Sequence, residues 1–435
     1  MVRRPRGTRD FLPDEMKRRL ALERLFDSVG ARHGFQRVAT PTFESLELFT
    51  AKSGQGIVDE LYAFDDKGGR PLTLRPELTA PVMRMVAAEM THVPHPLRLS
   101  YFGNCFRYEE FKTGRYREFW QYGCEIVGAE GALVEAEVIA FATSLIDATG
   151  LSNWRLSVGH VGILRAVLEA AEVTGEAAGE VMRLIDKGDF DAVGERVAAD
   201  YAMTLKSLAK LSDSDSAIAD ARSILSGIGL DCSALDELEL TMKYFSALQP
   251  DVRVGLDLSV ARGLDYYTGV VFEIEVDSLG GEGQILGGGS YRLMHLFDKP
   301  DLDPCCGFGA GFDRILLALA KQIEAGGTSV LDTAESGSSR LAIIPFRIDV
   351  TEILPLVANL RSSGSDELDV LLELRTRKVQ RSIHWAESRG ATHILIIGPR
   401  DIEAGAARVK RLSDGAENDC SLTSESVITA ISNLG

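Results

Sequence analysis

Phe106–Gly128 reads FRYEEFKTGRYREFWQYGCEIVG, and this stretch decides the fold. Two strand-like runs are joined by a short loop. Arg107 precedes the loop, and Arg115 and Arg117 sit in it. Side chains along a strand alternate between faces. Cys105, Arg107 and Glu109 therefore share one face of the first run, and Phe119, Gln121, Gly123 and Glu125 share one face of the return run. Trp120, Tyr122, Cys124 and Ile126 face the opposite way, toward a core. Arginine offers a planar, permanently charged fork that matches phosphate oxygens. Aromatic and guanidinium planes also stack on nucleobases. The pattern points to a cleft that grips a polyphosphate and a flat base. The alternative is a solvated hairpin with cross-strand ion pairs.

The surrounding chain is ordinary globular material. It has 435 residues, 45% of them hydrophobic and 26% charged, and the length suggests two to four domains. No apolar run approaches the roughly 20 residues needed to span a membrane. The N-terminal MVRRPRGTRDFLPDE is basic but lacks an apolar core, so a secretory signal is not expected. Six cysteines (Cys105, Cys124, Cys232, Cys305, Cys306 and Cys420) show no CxxC pairing, which fits a reducing cytoplasm better than zinc or a disulfide framework. A net charge of −17 argues against non-specific binding to polyanions and leaves room for a selective, salt-sensitive nucleic-acid partner.

Outward from the hairpin, periodicity predicts a helix over Asp14–His33, with Pro13 near its start and Gly34 at its end. Leu61–Phe64 and Leu72–Leu74 flank the turn DDKGG as a hairpin. Helices are expected at Thr79–Met90 and Leu133–Thr149, and a strand at Trp154–Val158. From about Gly162 to Gln249 the texture becomes helical throughout, which reads as an insertion. Strand character returns at Val252–Leu258 and Val270–Val276. A glycine cluster, GGEGQILGGGSY, follows. Ala325–Ser339 reads as a linker. Beyond it, apolar runs at Leu341–Phe346, Asp369–Leu374 and His393–Ile397 alternate with helical stretches, a small α/β domain.

Four further segments carry chemistry. In Leu72–Thr79, Glu77 and Thr79 stand at a strand-to-helix junction, where helix capping is the plain alternative. Val260–Thr268 ends a strand in a loop holding Arg262, Asp265, Tyr266 and Tyr267, suited to a small polar ring and a phosphate. In Gly287–Tyr291 consecutive glycines let backbone approach a ligand, although a bulge or turn is at least as good a reading. Gly307–Arg314, GFGAGFDR, opens a helix with Arg314 on its first turn. Its GxGxG spacing is a poor dinucleotide fingerprint.

In this order, these segments resemble the motifs of the class II aminoacyl-tRNA synthetases, specifically the histidyl-tRNA synthetases. Thr40-Pro41 resembles motif 1, Phe106–Gly128 motif 2 and Gly307–Arg314 motif 3. Arg262-Gly-Leu-Asp-Tyr-Tyr267 resembles the histidine signature. The resemblance implies an α+β catalytic domain, an antiparallel sheet flanked by helices, in two parts at 1–160 and 251–325. A helical insertion at 161–250 separates them. A linker at 326–339 leads to an anticodon-binding α/β domain at 340–435.

The resemblance further implies a cytoplasmic homodimer with L-histidine, ATP, Mg²⁺ and tRNA(His) as ligands and partners, and no membrane. Glu77, Thr79 and Gln121 are expected on the α-amino and carboxylate groups of histidine. Glu125 and Tyr267 would read its imidazole, with Tyr266 lining the pocket. Arg107 and Arg262 would contact the α-phosphate as the catalytic pair, Glu109 the adenine side, and Arg115 and Arg314 the β- and γ-phosphates. No protein metal ligand is assigned; Mg²⁺ would come with ATP and bridge phosphate oxygens.

Three departures stand out. Ser290-Tyr-Arg292 replaces the usual Arg-Tyr-Asp of the glycine loop, which bears on how that loop closes. Phe312-Asp313 replaces Leu-Glu. Glu110-Phe-Lys112 replaces Arg-Pro-Gln where the family meets the extra 5′ nucleotide of histidine tRNA. Two alternatives are a synthetase-like regulatory subunit of ATP phosphoribosyltransferase and another class II synthetase. The C-terminal domain argues against the first, and the Arg262–Tyr267 signature against the second.

Overall fold

A computed structural model describes residues 2–53, 55–108, 116–211, 216–259, 267–333, 339–363 and 368–434. The chain divides into two compact units, Met1–Leu331 and Asp332–Gly435.

The first unit is built on strands β1 (Gln36–Val38), β2 (Phe43–Ser45), β3 (Tyr62–Asp65), β4 (Pro71–Leu74), β5 (Leu97–Phe106), β6 (Glu118–Val127), β7 (Trp154–His160), β8 (Val254–Leu256), β9 (Tyr267–Val276), β10 (Gln284–Tyr291) and β11 (Cys305–Gly311). Eight of them form one sheet in the order β1-β5-β6-β11-β10-β9-β7-β8. The six central strands are antiparallel, as expected, while β1 and β8 add to the two edges in parallel. β2, β4 and β3 form a small separate sheet.

The helices of this unit are α1 (Pro13–Arg32), α2 (Leu46–Ser53), α3 (Thr79–Met85) and α4 (Ala132–Ala148). They continue with α5 (Val161–Ala170), α6 (Gly175–Asp186), α7 (Phe190–Gly194), α8 (Ala199–Leu208), α9 (Ala217–Gly227), α10 (Ser233–Leu248) and α11 (Phe312–Glu324), and the single turn α12 (Val330–Thr333) spans the boundary between the units. Local chemistry sets α1: Pro13 opens it, Asp14 and Glu15 lie in the first turn, Arg32 in the last, and Gly34 follows at φ +76°. The helix begun at Thr79 is α-helical to Met85 and π-helical over Val86–Met90. Among the described residues, α5 to α10 account for the helical texture between Val161 and Leu248. No described helix is long and apolar enough to cross a membrane.

The sheet buries both faces. Tyr122, Cys124 and Ile126 of β6 pack against Leu22, Phe26 and Val29 of α1 and the apolar side of α4. The opposite face joins Leu99, Tyr101, Cys105 and Val127 to Val82 and Met83 of α3. One correction concerns the turn reading of Gly287–Tyr291, which lies inside β10; Gly307–Gly311 forms part of β11 and leads directly into α11 at Phe312. The bulge reading survives in part, because the pairing of β10 with β9 slips between Gly289 and Tyr291.

The second unit holds β12 (Ser339–Pro345), β13 (Leu368–Leu372), β14 (His393–Ile397), β15 (Ala406–Arg411) and β16 (Glu417–Ser421), with α13 (Leu354–Ser362), α14 (Val379–Ser388), α15 (Pro399–Ala404) and α16 (Ser424–Ser432). Its sheet runs β13-β12-β14-β15-β16, parallel for the first three strands and antiparallel for the last two pairings.

Candidate active site

The site is assembled on one face of β5 and β6. Register places Leu99 opposite Glu125, Tyr101 opposite Gly123, Gly103 opposite Gln121 and Cys105 opposite Phe119. Glu125 is 1% exposed and is the focus of the polar contacts. The Tyr101 hydroxyl donates to its Oε1 at 2.8 Å and the Tyr291 hydroxyl to its Oε2 at 2.6 Å. Burial pushes the Glu125 carboxyl up to about 7; the hydrogen bonds from Tyr291, Tyr101 and Thr79 oppose this, and the nearby charge of Glu77 adds to it. Burial and the Glu125 charge hold both tyrosines well above the usual phenol range. They stay protonated, so they stay donors.

Glu77 does what the plain reading expected. Its carboxylate accepts the backbone N–H of Thr79 at 2.5 Å and of Ala80 at 3.2 Å, closing the start of α3. This fixes Thr79, whose hydroxyl lies 3.3 Å from that of Tyr101. Gln121 accepts from the Cys105 thiol at 3.3 Å, and burial raises that thiol to about 12, keeping it a donor. Tyr267, 6% exposed, pairs with Tyr291 across β9 and β10 in an edge-to-face contact of 6.4 Å. Arg107 donates from Nε to the Pro76 carbonyl at 3.0 Å and lies 5.3 Å from the centre of the Phe119 ring.

The three alternate glycines of β11 explain GxGxG in this chain. Gly307 is the cross-strand partner of Glu125, and a Cβ there would fall 1.8 Å from Glu125 Oε2. The nearest atom to a Cβ on Gly309 would be Gln121 Nε2, at 3.9 Å. A Cβ on Gly311 would meet Cδ of Arg314 at 3.2 Å. Phe308 and Ala310 point into the core on the other face. The run is a strand in which the missing side chain of Gly307 leaves room for Glu125 and that of Gly311 for the Arg314 stem, while Gly309 has space for a Cβ beside Gln121. Gly123 does the same for Tyr101, whose ring a Cβ would meet at 2.5 Å.

Glu77, Thr79, Gln121, Glu125, Tyr267, Arg107 and Arg314 are therefore placed around the β5–β6–β11 face or on the ends of elements beside it. Arg262, Tyr266, Glu109 and Arg115 lie outside the described residues. Sequence reasoning missed Tyr101 and the hydroxyl role of Tyr291. It also passed over Arg75. That guanidinium is buried and donates to the carbonyls of Thr40 at 2.7 Å, Pro41 at 3.1 Å and Asn104 at 2.8 Å. It ties the Thr40-Pro41 segment to β5 and leaves the adjoining Pro76 carbonyl for Arg107. The signal available was period 2: Leu97, Leu99, Tyr101 and Cys105 share the face of Glu125.

The Ser290 departure also has a structural setting. Ser290 faces away from Tyr291, and its hydroxyl donates to Glu135 of α4 at 2.6 Å. Thr241 of α10 donates to the same carboxylate at 2.8 Å and the Val270 N–H at 3.2 Å. Burial raises Glu135, and the Ser290 and Thr241 hydroxyls oppose it.

An antiparallel sheet that carries an arginine-bearing hairpin beside a glycine strand ending at an arginine-bearing helix defines the catalytic core of a class II aminoacyl-tRNA synthetase. The family model described as histidyl-tRNA synthetase matches residues 7–315, and the model described as anticodon binding domain matches residues 340–434. The chain belongs to the histidyl-tRNA synthetase family. A relative from Archaeoglobus fulgidus named Histidine--tRNA ligase is 43% identical over 418 residues, covering 94% of this chain and 95% of that protein. A Methanoregula boonei protein of the same name is 40% identical over 423 residues, 96% of each. The solved apo histidyl-tRNA synthetase of S. aureus superposes with a TM-score of 0.73 at 28% identity, covering 97% of this chain and 98% of that one.

Proposed function

We propose that this chain is a histidine–tRNA ligase that activates L-histidine with ATP and passes it to the 3′ end of tRNA(His). The observation that carries the reading is the buried Glu125 carboxylate, aimed by two tyrosine hydroxyls, in a chain whose full-length relatives bear the name Histidine--tRNA ligase. A carboxylate is a fitting partner for a ring bearing two nitrogens. Glu125 and Tyr267 read the imidazole, with Tyr266 lining the pocket. Glu77, Thr79 and Gln121 hold the amino and carboxylate groups.

The substrate carboxylate attacks the α-phosphorus and pyrophosphate leaves. That carboxylate is already a nucleophile, so no side-chain base is needed. Rate then depends on positioning and on charge stabilisation. Arg107 and Arg262 take the α-phosphate, Glu109 the adenine side, and Arg115 and Arg314 the β- and γ-phosphates. The tRNA 3′-hydroxyl then attacks the histidyl-adenylate. Among the described residues no three His, Cys, Asp or Glu side chains converge as a metal cage. Mg²⁺ would enter with ATP and offset the charge of its phosphates, and no step is routed through it.

The homodimer and the cytoplasmic setting come to this chain from the family. The anticodon-domain match at 340–434 supports tRNA charging over the regulatory-subunit alternative. The test is ATP–pyrophosphate exchange. Exchange that requires histidine is expected, together with charging of tRNA(His). No exchange with any amino acid would refute the assignment.

A further inference from the structure

The chain ahead of α1 is tied to the site. Gly7 accepts the backbone N–H of Arg117 through its carbonyl at 2.9 Å, and the Arg117 carbonyl in turn accepts the N–H of Arg107 at 3.0 Å. Gly7 is at φ +83°, and a Cβ there would strike the Arg117 stem at 2.6 Å. The segment thus meets the base of the hairpin through one backbone hydrogen bond from a turn.

Two residues on, Arg9 makes a double contact. Its guanidinium stacks on the Tyr116 ring at 3.5 Å and pairs with Asp313 at 2.7 Å. Tyr116 leads into the return arm of the hairpin, and Asp313 is the residue before Arg314. Asp313 is 8% exposed and serves as a hub. Its Oδ1 also takes Arg19 of α1 at 2.6 Å, and its Oδ2 takes the backbone N–H of Trp120 at 2.8 Å. Phe11 seals the cluster, edge-on to Trp120 at 5.1 Å and 4.0 Å from the Arg19 guanidinium. A planar guanidinium suits this double contact better than an ammonium, because its face stacks on Tyr116 while its edge pairs with Asp313.

We propose that Gly7–Phe11 is a strap that locks the return arm of the hairpin to the first turn of α11, and that Arg9 is a positioning residue for ATP. The strap spans Arg107 on one side, through backbone pairing, and Arg314 on the other, through Asp313. It does not reach the Glu125 pocket. Its loss should loosen the nucleotide site and spare histidine. This rests on the reading of Arg107 and Arg314 as ATP ligands.

The experiment is exchange kinetics on the full chain with Arg9→Ala, Tyr116→Leu and the double variant. Each single variant is expected to raise the KM for ATP about tenfold, the worth of one desolvated cation–aromatic contact, with the KM for histidine changed less than about twofold. The double variant should be no worse than Arg9→Ala alone, which already removes the Tyr116 contact together with the Asp313 pair. Tyr116→Phe should keep the parental KM, and Arg9→Lys should recover only part of it. If Arg9→Ala does not fold, the Tyr116→Leu and Tyr116→Phe pair carries the same test. Unchanged KM values, equal rises for both substrates, or additive effects in the double variant would overturn the strap. A parent enzyme without histidine-dependent exchange would instead overturn the activity reading, and the strap's role with it.

Discussion

Glu125→Gln separates the charge of the buried carboxyl from its shape. Burial lifts the folded Glu125 carboxyl to about 7, against about 4.5 when unfolded. Between those values the native chain holds a proton that the unfolded chain has released. Stability must then fall as pH rises through that window, by about 1.4 kcal/mol per unit and roughly 3 kcal/mol in all, and level off above it. Glutamine carries no charge and escapes this fall. It does replace one acceptor of the two tyrosine hydroxyls with an amide donor, at about 1 kcal/mol. The net expectation is a sign change. Near about pH 5 the variant should be slightly less stable than its parent, and near about pH 8 more stable by about 2 kcal/mol. For the Met1–Leu331 unit, an unfolding entropy of about 0.7 kcal/mol/K converts the second figure to a Tm gain of about 3 °C.

Function should move the other way. An uncharged amide cannot make the charge-assisted bond to an imidazole N–H, so the KM for histidine should rise at least about tenfold, with that for ATP changed less than about twofold. Thermal melts across the pH range and exchange kinetics at one pH measure both. A Tm difference that does not vary with pH would remove Glu125 as the strained acid of the pocket. Equal rises in both KM values would remove it from the imidazole site.

Arg262, proposed as an α-phosphate ligand, lies outside the described residues; in that role Arg262→Ala should lower the maximal exchange rate about a hundredfold and leave the histidine KM less affected, because the proposed contact would strengthen as charge shifts in the transition state, and a mainly raised histidine KM would contradict it. Gly307→Ala should yield insoluble protein or a loss of about 3 kcal/mol, since its Cβ would strike Glu125 Oε2 and the Cys124 carbonyl, whereas Gly309→Ala should melt within a degree or so of the parent. Ser290→Ala removes one donor from Glu135 and should cost about 1–2 kcal/mol. That loss should be greater at higher pH, where Glu135 is ionised with Thr241, the Val270 N–H, His160 and Glu237 around it; a pH-independent loss would place the effect elsewhere.

What the sequence disclosed follows from which signals are local. Alternation in Phe119–Ile126 separated the ligand face from the core face, because period 2 is a property of the strand itself. The ends of α1 were legible for the same reason, since its proline, acidic first turn and glycine stop act within a few residues. Tyr101 and Tyr291 were not legible as a pair. They lie far apart in the chain and meet only because β5, β6, β11 and β10 are neighbours in the sheet. The strands Ala406–Arg411 and Glu417–Ser421 escaped because their outer face is charged, with Arg408 bridging Glu417 and Asp419. Such a pattern looks like a loop until its partner is known.

The glycine runs show most clearly how a local signal can mislead. Glycine spacing suggests a turn or a phosphate cradle when the chain is read alone. In this sheet the demand on Gly307 comes from the adjacent strand. Glu125 must be buried to be strained, and it can be buried beside β11 only where that strand has no Cβ. Glu125 and Gly307 are thus one requirement written at two places, 125 and 307, and the hydroxyls of Tyr101 and Tyr291 complete it. Arg314 repeats the logic at the other end of the strand, where its stem packs over Gly311 while Asp313 anchors the turn to α1 and the hairpin. The glycine strand therefore holds the proposed imidazole acid and the proposed phosphate arginine at a fixed separation. A change at Gly307 should disturb histidine first, and a change around Asp313 should disturb ATP first.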